Sequence, residues 1–290
     1  MEIINRRKRM MSVARRLRRE EHRNIGLVPT MGALHEGHLS LIHEARALCD
    51  VVVVSVFVNP TQFGPNEDFA SYPRDLTRDS ALLAEYNVDY VFAPTSEEIY
   101  PAGFSTYVTV DELSNKLEGA ARPGHFRGVS TVVAILLNIV RPNFAFFGQK
   151  DAQQSIVIKQ MVRDLSFDAE IVVLPIVREE SGLAMSSRNA YLDDEERHAA
   201  VVLNRALSQA RSAFDGGEQS ASRLVEMVRS TIEKEPLARI DYVSLNDAET
   251  LAKLDKLDER PALLSLAVFF GKTRLLDNIV LGSQKRAVTA

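Results

Sequence analysis

The sequence predicts an α/β protein: a parallel sheet flanked by helices, followed by a smaller α+β domain. Three observations carry this prediction. Short apolar runs alternate with helix-length segments from residue 25 to residue 177, the order expected of parallel strands joined by helical crossovers. One run, 50–58, is β-branched and apolar on both faces, as in a strand covered by helices on either side. Beyond Val177 the pattern changes to long helical stretches and then to strands. We therefore divide the chain into a Rossmann-like domain, residues 1–177, and a C-terminal domain, residues 178–290, which opens on the loop Met185-Ser186-Ser187-Arg188.

The elements follow in order. Residues 25–29 form a short apolar strand, and Met31-Gly32-Ala33-Leu34 a turn into a helix from about 37 to 47, with Leu39, Ile42 and Ala45 at helical spacing. The strand 50–58 ends at Asn59-Pro60-Thr61. A helix over 76–86, a strand over 90–93, a helix over 130–141 after a glycine break, and a strand over 144–147 closed by Gly148 come next. A helix over 152–164 and a strand over 170–177 complete the first domain. In the second domain, one long helix over 193–214, a break at Gly216-Gly217 and a helix over 220–234 precede strands near 240–245, 262–269 and 273–281. The basic stretch 6–23 reads as the solvated face of an N-terminal helix preceding a core that begins at Ile25; an arm for an anionic partner is the alternative.

Composition narrows the class. The chain has 290 residues, 46% hydrophobic and 26% charged, with a formal net charge of −4. This is ample apolar material for a core without disulfide or metal staples. A negative balance argues against a general nucleic-acid binder, which shows a basic surplus. The single cysteine, Cys49, excludes an intrachain disulfide and sits in an apolar pattern, as a small core residue does. The longest apolar runs fall short of the ~18–20 residues that span a bilayer, and the N-terminus lacks signal-peptide architecture. The expectation is a soluble cytoplasmic protein with neither nucleic acid nor membrane as partner.

The strongest local signal is Pro29-Thr30-Met31-Gly32-Ala33-Leu34-His35-Glu36-Gly37-His38. It places two histidines three apart at a helix start. Gly37 removes a side chain between them, and the helix N-terminus offers amides and the positive dipole end to an anion. The imidazoles add hydrogen bonds or charge, which suits charge developing on a triphosphate. A zinc site is the competing reading, but no third ligand is evident and the spacing is not that of HExxH. Other polar clusters are less specific. Ser186-Ser187-Arg188 can grip phosphate oxygens yet by itself reads as a polar loop. Asn59-Pro60-Thr61 by itself is a turn and Gln62 a surface residue, and Asp151 is a ready cap for the helix from Ala152. Gly271-Lys272-Thr273 is no P-loop, because the required first glycine falls on Leu266.

The run from Met31 to His38 resembles the His-x-Gly-His signature of the nucleotidylyltransferase superfamily, whose members pair it with a second loop carrying Lys or Arg, Met and Ser. Leu183-Ala184-Met185-Ser186-Ser187-Arg188 fits that loop. Four further blocks narrow the likeness: Phe57-Val58-Asn59-Pro60-Thr61-Gln62-Phe63, Arg122-Pro123-Gly124-His125-Phe126-Arg127-Gly128-Val129, Phe147-Gly148-Gln149-Lys150-Asp151-Ala152-Gln153-Gln154 and Ser186-Ser187-Arg188-Asn189. In this order they are similar to the pantothenate synthetases, and Asp241-Tyr242-Val243 and Gly271-Lys272-Thr273-Arg274-Leu275 also look familial. Gln149, where an acidic or polar residue is often found, and Met185, where Leu is common, are minor departures.

The resemblance implies an ATP-dependent ligase that condenses (R)-pantoate with β-alanine to give pantothenate, AMP and pyrophosphate through a pantoyl adenylate. It implies that Met31, Gly32, Ala33, Leu34, His35, Glu36, Gly37 and His38 line the ATP site, with His38 the proton donor. Gly148, Gln149, Lys150, Asp151, Val177, Met185, Ser186, Ser187 and Arg188 contact the nucleotide. His35, Lys150 and Arg188 join His38 as catalytic residues. Gln62 meets both pantoate and β-alanine, Gln154 binds pantoate, and Asn59 supports their pocket. ATP is expected as its Mg²⁺ complex, without a dedicated carboxylate cage, and a homodimer is implied, to which the Arg122–Gly128 block is a candidate contributor. Another adenylyl-transferring enzyme, an RNA-binding relative and an inactive homologue are the alternatives. The two glutamines and the Gly-Gln-Lys-Asp block oppose the first, the charge balance the second, and the intact His35, His38, Lys150 and Arg188 the third.

Overall fold

The computed structural model describes residues 1–65 and 67–282. The chain divides into two compact units: one of Met1–Gln149 with Gln153–Ile176, the other of Lys150–Ala152 with the residues from Val177 onward.

In the first unit the order is β1 (Glu2–Ile4), α1 (Arg7–Arg19), β2 (Ile25–Thr30), α2 (Glu36–Leu48), β3 (Val51–Val56), α3 (Leu76–Glu85), β4 (Tyr90–Phe92), the short helices α4 (Ser96–Ile99) and α5 (Glu118–Ala121), α6 (His125–Val140), β5 (Phe144–Gly148), α7 (Ala152–Asp164) and β6 (Glu170–Leu174). The six strands form one sheet in the order β1-β4-β3-β2-β5-β6, and all pairs are parallel. The residues Val51–Val54 are buried without alternation, because helices cover both faces of a parallel sheet. One covering layer packs Leu39, Ile42 and Ala45 of α2 with Leu83 of α3 against Val28, Val52, Val54 and Phe146.

The strand order reverses at β2. The chain passes outward through β3 and β4 on one side, then returns to place β5 on the other. Such a switch point opens a crevice at the carboxyl ends of the central strands, where ligands of open α/β sheets bind. Thr30 ends β2 and Gly148 ends β5, so the loop from Met31 and the start of the Gly148 block both fall at this point.

The second unit holds α8 (Asp194–Ala200), α9 (Val202–Asp215), α10 (Ala221–Ile232), β7 (Ala238–Asp247), β8 (Ala262–Phe270) and β9 (Thr273–Leu281). The three strands form an antiparallel sheet in the order β7-β8-β9. Its core joins Leu203, Leu207, Leu224 and Val228 to Leu264, Leu266, Val268 and Phe270.

Several expectations are corrected. The core does not begin at Ile25: β1 pairs with β4, and Met10, Val13, Ala14 and Leu17 of α1 are buried, the basic residues of that helix occupying its other face. The helix placed at 130–141 starts at His125, running through Gly128 because a β-carbon there would lie 2.3 Å from the Thr61 carbonyl oxygen. The glycine is a close-approach residue, not a break. The strand of 170–177 stops at Leu174, before Pro175, which has no amide for a ladder. The long helix of 193–214 is two helices meeting at Val201, whose amide bonds to the His198 carbonyl oxygen in a tightened final turn.

Candidate active site

The loop after β2 is built by side chains that satisfy its backbone. Gly32 and Ala33 both have left-handed φ, 84° and 51°, a region glycine enters freely and alanine does not. Asp79 of α3, fully buried, compensates by accepting the amides of Ala33 at 2.9 Å and Leu34 at 3.0 Å. Thr30 Oγ1 donates to the Ser55 carbonyl oxygen at 2.7 Å and accepts the Gly32 amide at 3.2 Å. Space is tight as well as torsion, since a β-carbon on Gly32 would sit 3.0 Å from Asp79 Oδ2.

This loop delivers the two histidines to the start of α2. His35 is the N-cap, and its Nδ1 accepts the Gly37 amide at 3.2 Å. His38 Nδ1 accepts the His35 amide at 3.4 Å, and the rings stack with centroids 4.1 Å apart. The expectation of open amides is thereby corrected at His35 and Gly37, which the imidazoles already hold. An imidazole that accepts at Nδ1 carries its proton at Nε2 when neutral, so each neutral ring holds its hydrogen on Nε2.

Beside this loop lies the turn after β3. Residues Pro60–Gln62 form one 3₁₀ turn capped by Asn59. Asn59 is buried, and its Oδ1 accepts from Tyr100 Oη at 2.7 Å and Thr61 Oγ1 at 3.0 Å. Its Nδ2 donates to Gln62 Oε1 at 3.0 Å and to the Gly128 carbonyl oxygen at 3.2 Å. Asn59 thus holds Gln62 from behind. The other end of the Gln62 amide, Nε2, donates to Met31 Sδ at 3.1 Å. The His-x-Gly-His loop and the Gln62 turn, separate blocks in the sequence, are joined through this contact.

The paired glutamines of α7 divide. Gln153 is buried, donating to the carbonyl oxygens of Leu113 at 2.8 Å and Lys116 at 2.7 Å and accepting the Glu118 amide at 3.0 Å. Gln154 is half-buried on the first turn of α7. The Arg122–Gly128 block, a candidate subunit contact from the sequence, packs within the chain on the Gln62 turn: Arg122 pairs with Glu67 through two nitrogens, at 2.7 and 2.6 Å. The Arg127 guanidinium lies 3.5 Å from the centroid of the Tyr107 ring.

In the second unit, Lys150 Nζ is 3.7 Å from Asp151 Oδ1, and the Lys150 carbonyl oxygen accepts from Asn278 of β9 at 3.0 Å. Residues 177–185 form a tight hairpin in which Met185 N donates to the Val177 carbonyl oxygen at 3.0 Å and Arg178 bridges to Ala184. Buried Asp277 anchors it, taking both Arg178 terminal nitrogens at 2.7 and 2.9 Å. Ser186 Oγ caps the following 3₁₀ turn by accepting the Arg188 amide at 3.2 Å. Met185, Ser186, Ser187 and Arg188 are all half-buried.

Sequence reasoning gives no holding role to Thr30, Gly128 and Gln153, which stand in its motif blocks, and passes over Asp79 and Tyr100 altogether. Asp79 left a usable signal, since it lies four residues before Leu83 on the buried face of α3. Among the described residues, no group of three His, Cys, Asp or Glu side chains is placed to hold a metal ion, and no helix is long and apolar enough to cross a membrane.

A parallel sheet with a histidine-capped helix start at its switch point defines an open α/β protein of the class that binds ligands at the carboxyl ends of its strands. The chain belongs to the Pantoate-beta-alanine ligase family, whose profile matches residues 2–280. It is 58% identical over 264 residues to the pantothenate synthetase of Pelotomaculum thermopropionicum, covering 91% of this chain and 93% of the relative. It is 55% identical to that of Herpetosiphon aurantiacus, covering 92% and 96%. The crystal structure of pantothenate synthetase from Thermus thermophilus superposes with a TM-score of 0.90 at 45% identity, covering 96% of this chain and 99% of that one. The pantoate-beta-alanine ligase of Francisella tularensis, solved with β,γ-ATP and β-alanine, gives 0.79 at 39% identity, covering 97% of each. The chain is thus an AMP-forming carbon–nitrogen ligase of pantothenate biosynthesis.

Proposed function

We propose that the enzyme makes pantothenate in two steps. The (R)-pantoate carboxylate attacks the α-phosphorus of ATP, the bond to the β-phosphate oxygen breaks, and pyrophosphate leaves a pantoyl adenylate. The β-alanine amine then attacks the acyl carbon, loses a proton, and AMP departs as the amide forms. A free carboxylate does not acylate an amine usefully, so activation is obligatory, and the protein supplies position and charge stabilisation.

The observation that carries this reading is the 3.1 Å contact between Met31 and Gln62. It sets the residues proposed for the nucleotide beside those proposed for the acid. In this reading Met31, Gly32, Ala33, Leu34, His35, Glu36, Gly37 and His38 bind ATP, and the Nε2–H of His38 donates to the phosphates as negative charge grows. Gln62 and Gln154 bind pantoate, Gln62 also meets β-alanine, and Asn59 acts through Gln62. Gly148, Gln149, Lys150, Asp151, Val177, Met185, Ser186, Ser187 and Arg188 are assigned to the nucleotide, with Lys150 and Arg188 neutralising its phosphates. Mg²⁺ enters as part of the MgATP substrate, held by phosphate oxygens and water.

A cytoplasmic homodimer completes the proposal, in keeping with the family. A concentration-independent monomer in sedimentation would remove the dimer.

The test is pantoate-dependent exchange of labelled pyrophosphate into ATP in the absence of β-alanine. Exchange that requires pantoate is the expected result. Folded enzyme that makes pantothenate once β-alanine is added, but shows no exchange with MgATP and pantoate alone, would overturn the free adenylate intermediate.

A further inference from the structure

Three side chains that take no part in the proposed substrate contacts converge on the peptide of Gln62. His125, the first residue of α6, brings Nδ1 to 2.8 Å from the Gln62 carbonyl oxygen. Arg122 donates to the same oxygen at 3.4 Å, and another of its nitrogens lies 3.1 Å from His125 Nε2. Glu67 closes the cluster with its two-point grip on Arg122.

The chemistry of these contacts fixes every proton. Arginine only donates, so His125 Nε2 accepts, and the ring carries its hydrogen on Nδ1, where it donates to Gln62. A protonated ring would set two cations against each other. Burial, reinforced by the Arg122 charge, brings the His125 pKa down to about 4, so the ring is neutral at physiological pH. Burial pushes the Glu67 carboxyl up, but the hydrogen bonds and charge of Arg122 outweigh it and leave its pKa lowered. The relay therefore runs in one direction, from the Glu67 carboxylate through Arg122 to His125 and onto the Gln62 oxygen.

The consequence concerns the Gln62 side chain. Its amide has four hydrogen-bonding positions. Asn59 takes one and Met31 another, which leaves one donor and one acceptor position for a ligand. Holding the peptide as well as the tip removes the freedom that binding would otherwise have to freeze. We propose that Glu67, Arg122 and His125 are positioning residues that set the Gln62 turn and so aim its free amide positions at pantoate. This rests on the reading of Gln62 as a pantoate contact.

The attachment of α6 to the turn does not need the relay, because Gly128 already lets the helix abut Thr61. A substitution at His125 should therefore act on substrate binding more than on folding. The experiment compares His125→Phe, which keeps ring volume without a donor, with His125→Asn, whose amide nitrogen reproduces the Nδ1 donor, and with Gln62→Ala. KM for pantoate, KM for ATP and the thermal midpoint are measured for each.

His125→Phe should raise the pantoate KM about tenfold, the equivalent of one lost hydrogen bond, with the ATP KM changed less than about twofold, and His125→Asn should recover most of the loss. If Gln62→Ala raises the pantoate KM while His125→Phe leaves it at the parental value, the relay is overturned and the substrate reading stands. An equal rise in both KM values, or no recovery with asparagine, overturns it in favour of a purely structural role. An unchanged pantoate KM in Gln62→Ala overturns the reading on which the relay depends. Should His125→Phe not fold, Glu67→Gln, which removes the charge at nearly constant shape, must show the same pantoate-selective rise, and a parental value there counts against the relay.

Discussion

The Gln62 side-chain amide donates to the sulfur of Met31 across 3.1 Å, joining the turn after β3 to the loop that carries His35 and His38. Sulfur is a weak acceptor, so the contact orients more than it stabilises. Met31→Leu, which conserves volume, should leave stability within ~1 kcal/mol and lower kcat/KM for pantoate only a few-fold. Steady-state kinetics with pantoate varied at saturating ATP would check this, and a loss of several hundred-fold would contradict it.

His38→Ala should fold normally, because the ring is half-buried and its Nδ1 bond to the His35 amide is long, at 3.4 Å. It should lose most of the pyrophosphate exchange, by about 10²-fold or more, as expected when a donor to developing charge is removed. Exchange at the parental rate in a folded variant would refute the assigned role.

Asp79 accepts two loop amides from a fully buried position. Asp79→Ala leaves both without their partner, at a cost of ~1–3 kcal/mol for each buried group left unsatisfied, and releases Ala33 from its left-handed φ. A fall in the thermal midpoint accompanied by a rise in the KM for ATP is expected. A destabilised variant with the parental ATP KM would show that the loop keeps its shape without Asp79.

Gly128→Ala drives a β-carbon against the Thr61 carbonyl, 2.3 Å away, and the Gln62 amide nitrogen, 2.7 Å away. Backbone cannot yield as a flexible side chain does, so either α6 or the turn must shift. Denaturant unfolding should show a loss of ~1–3 kcal/mol, and pantoate use should fall more than ATP binding. Parental values of both would mean that the helix and the turn are free to separate.

The neutral state of His125 gives stability a pH dependence with a defined sign. In the unfolded chain a histidine titrates near 6.5, whereas burial and Arg122 hold the folded value at about 4, against the opposing effect of Glu67 and Glu118 and the bond to the Gln62 carbonyl. Between these values the unfolded chain binds the extra proton. The contribution is whole above about pH 6.5 and is lost as pH falls towards 4. By pH 4.5 the loss should be on the order of 1–2 kcal/mol, allowing for the partial exposure of the ring. His125→Phe should lack it. Urea unfolding of both proteins at pH 7.5 and 4.5 measures the difference, and an identical pH response would reject the neutral-ring assignment.

The sequence by itself determined the fold class and marked the candidate residues for the chemistry. Both are legible because they depend on local pattern: a doubly apolar run such as Val51–Val54 belongs in a covered parallel sheet, and His35-Glu36-Gly37-His38 after a strand belongs at a helix start. What only the tertiary structure decided is how those residues are held. Asn59 and Gln62 are three residues apart, but the groups that fix them, Tyr100, Gly128, His125 and Met31, lie up to 69 residues away along the chain. Gly128 looked like a break because a missing side chain lowers helix propensity, and only the closeness of Thr61 explains why it is needed. Asp79 shows in the sequence only its spacing of four from Leu83, and nothing local reveals that two loop amides lie beside it. Hydrogen-bond satisfaction and close approach are relations between distant segments, and they exist only once the sheet has brought β2, β3 and α6 together.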